Sequence, residues 1–229
     1  GNWFEEQNLV AATANYLLRN GTSQKSAFQI NEHFEYFGSY LNRGSYNETA
    51  SITLHCLTKH IGELLPVVKE LITDSTMPQD ELAIYQQNMK QRLKVSMKKS
   101  DFVAGQLIDV YLFGEQHPYG KFSSPEAFDA LQREQLLDFY KKYYQQGNLI
   151  MFVAGKLPAN LEKLLNDNFG DLPNNKIKAK EIALTPAIQR KIRITNDPEG
   201  VQGSIRIARP FPNRHHPDFL KAHILNILF

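Results

Sequence analysis

Leu137-Asp138-Phe139-Tyr140-Lys141-Lys142-Tyr143-Tyr144, followed by Asn148 and the run Leu149-Ile150-Met151-Phe152-Val153-Ala154, sets a helix beside a strand in one short passage. The helix is predicted over 133–144. The apolar run is too short for a buried helix and ends at Gly155, so it reads as a central strand. Upstream, two alternating stretches over 39–46 and 48–57 read as further strands, with Ile52, Leu54 and Cys56 on one face. Between and around them the period changes to that of helices. Val10, Ala14, Leu17 and Leu18 line one face of a helix over 8–20, with Gly21 as its stop. Ser26 and Gln29 have the spacing of a capping box that opens a second helix, whose buried stripe is Ile30, Phe34 and Phe37 and whose end is Gly38.

Further helices are predicted over 61–72, 80–98, 102–113 and 158–169. Pro66 is tolerable in the first of these only within its first turn. His117-Pro118-Tyr119-Gly120 is turn chemistry. The fold class is therefore α+β. Polar residues from Asp171 to Lys180 open a linker, placed over 174–188. It divides a first domain, 1–173, from a second, 189–229, in which 191–195 and 202–208 read as strands and 217–229 as a helix. That last helix has no stop signal, so the second domain is expected to be truncated.

Composition narrows the function. The chain has 229 residues, 42% of them hydrophobic and 22% charged, which is an ordinary globular balance. A net charge of +2 gives no electrostatic case for nucleic acid as partner. A single cysteine, Cys56, excludes an internal disulfide and a Cys-rich zinc module. No apolar run approaches the ~20 residues of a membrane span, and the opening residues show no signal-peptide pattern.

Several segments carry a resemblance. Leu112-Phe113-Gly114 with His117-Pro118-Tyr119-Gly120 forms one. The opening passage closing on Ala154-Gly155, then Phe169-Gly170-Asp171-Leu172-Pro173, form the next two. His216-Pro217-Asp218 with Leu225-Asn226-Ile227-Leu228 forms the last. In order and spacing they resemble the pitrilysin/insulinase/mitochondrial-processing-peptidase family of zinc peptidases. The resemblance implies a processing-peptidase-like domain, a mixed or antiparallel sheet with helices packed on one side, followed by the start of a similar domain. It also implies that the N-terminal strand of the first domain is missing, and that paired halves or subunits enclose a chamber for unfolded peptides.

The family writes its first helix with an inverted zinc motif, H-x-x-E-H, in which two His one turn apart hold zinc and the Glu activates water. The corresponding positions here are Ala12, Asn15 and Tyr16. Alanine has no ligand atom and neutral Asn is no base. The family's third ligand is a Glu on the long downstream helix, yet between Glu81 and Asp101 there is no Asp or Glu at all. No change of register restores that ligand. The expectation is a vestigial site at Ala12, Asn15 and Tyr16, with no catalytic residue, no metal ligand and no cofactor in this chain, the zinc being carried by a partner.

Other metal sets are poorer. His33 ends a fragment like the motif, but the residue four positions earlier is Gln29, so it reads as a solvent-facing helix edge. His60 and Glu63 share a helix face but make only a pair, where a catalytic zinc has three protein ligands. His117 reads as a hydrogen-bonding residue of its turn, and His215-His216 as a Pro-flanked turn. Lys90, Arg92, Lys94, Lys98 and Lys99 read as a solvated basic face, with a chamber wall as the alternative. The resulting expectation is a non-catalytic subunit that pairs with an active H-x-x-E-H homologue, or self-associates, and binds unfolded peptide. A structural assembly subunit and an active peptidase with an unorthodox metal site stay open. So does the compartment, bacterial periplasm or cytoplasm.

Overall fold

Val10, Ala14, Leu17 and Leu18, the apolar face expected of the first helix, are all buried in α1 (Val10–Leu17) and its C-terminal cap. The helix begins later than the sequence pattern suggested because Leu9 adopts a left-handed backbone, φ 73°. The Glu5 carboxylate accepts the N–H groups of Leu9 (3.3 Å) and Ala11 (2.8 Å). It thereby satisfies donors that a helix start leaves without partners, and places negative charge at the positive end of the helix. The capping box of α2 (Ala27–Tyr36) forms as expected: Gln29 N–H donates to Ser26 Oγ at 3.3 Å, and Ser26 N–H donates to Gln29 Oε1 at 2.9 Å. Gly38, at φ 57°, turns the chain out of that helix, a left-handed step that glycine makes without steric cost.

The computed structural model describes residues 1–175, 177, 200–209, 211 and 213–228. The fold is α+β, with two compact units. One comprises Gly1–Val95 and Phe122–Glu181, the other Ser96–Lys121 and Ile182–Phe229.

In the first unit β1 (Tyr40–Ser45) and β2 (Ala50–His55) pair antiparallel, with Leu41 opposite Leu54 and Arg43 opposite Ile52. Opposed residues share a face. Leu41, Ile52 and Leu54, with Cys56 beyond the strand, turn that face toward the core. Arg43 lies on it too. The core is built on α3 (Ile61–Thr73), whose Leu64, Leu65, Val67, Val68, Leu71 and Ile72 are buried with Ile30, Phe34, Leu41 and Phe169. Pro66 lies in the second turn of α3, past the first turn to which the sequence reading confined it. One intrahelical hydrogen bond is lost there, and the burial on either side of it holds the helix together.

Helix α4 (Gln79–Ser96) leaves the first unit at its C-terminal end; α6 (Pro125–Asp129), α7 (Arg133–Tyr140) and α8 (Leu161–Phe169) lie wholly within it. The short α6, capped by Ser124, was not read from sequence. α1 packs on α7 and β1, and α3 on α8. Beyond Tyr140 the helix widens into a π-helical turn, Lys141–Gln145. Tyr140 joins α7 to α3, since its hydroxyl donates to Leu71 O (3.2 Å) and accepts from Ser75 N–H (2.9 Å). Arg133 adds donors to the carbonyls of Thr76 and Met77.

The second unit contains α5 (Ser100–Phe113) and α9 (Phe219–Leu228). In its turn after α5, buried His117 accepts the Tyr119 N–H on Nδ1 at 3.1 Å and stacks on Phe113. This is the structural role the sequence assigned to it.

Two strand readings need correction. Residues 149–154 and 202–208 make no ladder among the described residues. Leu149 packs on the core, whereas Ile150, Met151, Phe152 and Val153 are exposed, Phe152 at 92%. Their propensity is that of a strand, but a strand exists only when an edge pairs with it. Nearly all of the linker 174–188 and the whole of 191–195 lie outside the described residues.

Candidate functional site on helix α1

Ala12, Asn15 and Tyr16 sit together on α1, where β1, α4 and the turn after α7 converge. Ala12 is half-buried and offers no polar side-chain atom. Asn15 is 3% exposed, and its Nδ2 donates to Tyr144 Oη at 2.9 Å. Tyr16 is 40% exposed, and its ring leans on Tyr85 of α4 with centroids 4.6 Å apart. The Arg43 guanidinium lies over the Tyr16 ring at 4.9 Å, within cation–π range.

Charge is under tension here. Burial, and then the neighbouring Arg19 cation, pull Arg43 down to about 10. Burial pushes the Tyr144 hydroxyl up to about 12, offset in part by the hydrogen bond from Asn15, and burial raises Tyr85 as well. At neutral pH Arg43 therefore stays charged, with the Arg19 guanidinium as its neighbour, beside the neutral phenols of Tyr85 and Tyr144 and the Asn15 amide. Arg43 Nη1 is closed off from solvent without a hydrogen-bond partner in the structure.

This donor set does not fit zinc, which takes imidazole, thiolate or carboxylate ligands. α4 brings Tyr85 against Tyr16, and its residues beyond Glu81 include no Asp or Glu. No group of three or more His, Cys, Asp or Glu side chains that could hold a metal ion occurs among the described residues. The histidines are spent elsewhere. His33 Nε2 donates to Glu63 O at 3.2 Å, so it is half-buried where the sequence reading had a solvent-facing edge. His60 packs on Phe37 at 5.0 Å while Glu63 is exposed. His216 Nδ1 accepts Asp218 N–H within its turn. On the basic face Lys90 pairs with Asp129 at 2.5 Å, and Arg92, Lys94, Lys98 and Lys99 are exposed.

Sequence reasoning missed Arg43, Tyr85 and Tyr144. The available signal for Arg43 was a cation two residues past inward-facing Leu41 on an alternating strand. Tyr144 belonged to a quoted motif, but its partner Asn15 is distant in the chain.

A family profile described as "Peptidase M16 inactive domain" matches residues 130–229. Over 206 residues the chain is 23% identical to an uncharacterized zinc protease of Rickettsia felis, covering 87% of this chain and 50% of the relative. Over 235 residues it is 22% identical to a probable mitochondrial-processing peptidase subunit beta of Schizosaccharomyces pombe, covering 97% and 50%. The crystal structure of a peptidase M16 inactive domain from Pseudomonas fluorescens matches with a TM-score of 0.72 at 24% identity, covering 82% of this chain and 46% of that one. The chain is similar to M16 zinc peptidases. Its fold is theirs, and it spans about half the length of the curated M16 relatives it matches.

Proposed function

We propose that this chain is a non-catalytic M16 subunit that pairs with a zinc-bearing homologue and helps to hold an extended peptide for it. The observation that carries the reading is the composition of the α1 site: Ala12, Asn15 and Tyr16 stand where the motif is expected, with a protein cation, Arg43, over Tyr16. A site so filled can add binding affinity, while water activation falls to the partner. A relative named as a processing-peptidase subunit supports pairing with a homologous chain. The β1–β2 hairpin supports peptide binding by strand addition, since neither outer edge carries a further strand among the described residues. No helix among the described residues is long and apolar enough to cross a membrane.

The test is to mix the chain with an M16 homologue that carries H-x-x-E-H, encoded in the same genome, and follow cleavage of a quenched fluorescent peptide. The expected result is no cleavage by this chain alone, and a faster rate for the homologue in its presence, with co-elution on size exclusion. Co-elution without any change in rate would favour a purely structural subunit. Cleavage by this chain alone would contradict the reading.

A further inference from the structure

Among the described residues Arg43 has no counter-charge: neither it nor Arg19 enters an ion pair, although seven such pairs form elsewhere in the chain. Arg19 Nη1 donates only to the carbonyl of Leu41, at 3.3 Å. Partly buried charges are normally paired, and a closed-off N–H without an acceptor costs the full loss of its hydration. The cation–π contact with Tyr16 offsets some of this cost but supplies no acceptor for Nη1. Beside it stands a second donor. Tyr144 Oη accepts from Asn15, which leaves its own hydrogen to be given to another group. Arg19 and Tyr144 both lie close enough to Arg43 to act on its charge, and the Tyr16 ring beneath Arg43 is exposed, so the donors gathered about Arg43 suit an anion.

We propose that Arg43, with Tyr144 and Arg19, forms a carboxylate site that fixes one acidic group of a bound peptide. A carboxylate is planar and offers two oxygens at the spacing of the guanidinium N–H groups, so it suits this donor set. The carboxylate comes either from the peptide's C-terminus or from an Asp or Glu side chain. This rests on the peptide-binding reading above. The site then replaces a metal's pull on the peptide with a fixed charge, so it selects a ligand without activating water.

The test is calorimetric titration of the whole chain with three forms of one extended apolar nonapeptide. One is blocked at both ends, one has a free C-terminal acid, and one is blocked but carries a single internal Glu. At least one acid-bearing form is expected to bind about tenfold tighter than the neutral form or better, as a charge-assisted pair should. Whichever acid form wins identifies the source. Arg43→Gln is expected to remove the preference, and Tyr144→Phe, which keeps the ring, to reduce it severalfold; the second variant carries the test if the first does not fold. Equal binding of all three forms, or a preference that survives in both variants, would overturn the carboxylate site and leave peptide binding standing. Binding of none of the three would overturn both.

Discussion

Tyr140 and Tyr144 are the residues at which this fold depends most visibly on protonation. Burial pushes both hydroxyls up to about 12, against 10 for a free tyrosine. A group that ionises later in the native state than in the unfolded chain favours the native state while it is neutral. The stabilisation is therefore complete below pH 10 and is lost as pH rises through about 12. Of the ten tyrosines, these two are expected to be the last to show phenolate absorbance, with unfolding accompanying their ionisation. Titration of all ten together near pH 10 with the fold intact would contradict the burial described here. At this scale the resemblance pointed to Ala12, Asn15 and Tyr16, and helix geometry alone puts these three on one face of α1. The sequence did not disclose Arg43 or Tyr144, which reach the site only through strand register and helix docking, and neither is encoded locally.

At the scale of elements, the same distinction separates what was legible from what was not. The capping box at Ser26 and Gln29, the buried face of α1 and the facing of Ile52, Leu54 and Cys56 are local patterns, and all appear in the structure. The run 149–154 has the composition of a central strand yet pairs with nothing among the described residues, because pairing depends on what lies alongside. Pro66 was misjudged for a related reason: intrinsic cost was legible, and the tertiary burial of α3 that outweighs it was not. Two substitutions separate these cases. Leu71→Ala, at a fully buried site, is expected to cost about 2–5 kcal/mol in urea unfolding. Phe152→Ser, at a site 92% exposed, is expected to change stability by no more than about 0.5 kcal/mol and to reduce self-association at high concentration. A large loss from Phe152→Ser would mean that the run is covered in solution.

At the scale of the whole molecule, the chain has the M16 fold and spans about half of its curated relatives. The separation of fold from chemistry is the main point. The core that shapes an M16 domain needs apolar faces at α1, α3 and β1, whereas zinc chemistry needs imidazole and carboxylate at a few positions. These requirements fall on different residues, so the second can be lost while the first persists. In this chain Asn15, Tyr16, Arg43 and Tyr144 make hydrogen bonds and ring contacts of their own. We propose that this chain carries no zinc and leaves the chemistry to a partner. Elemental analysis of the purified chain after dialysis against trace zinc tests it most directly. A zinc-to-protein ratio near zero is the predicted result, and a ratio near one would contradict the claim.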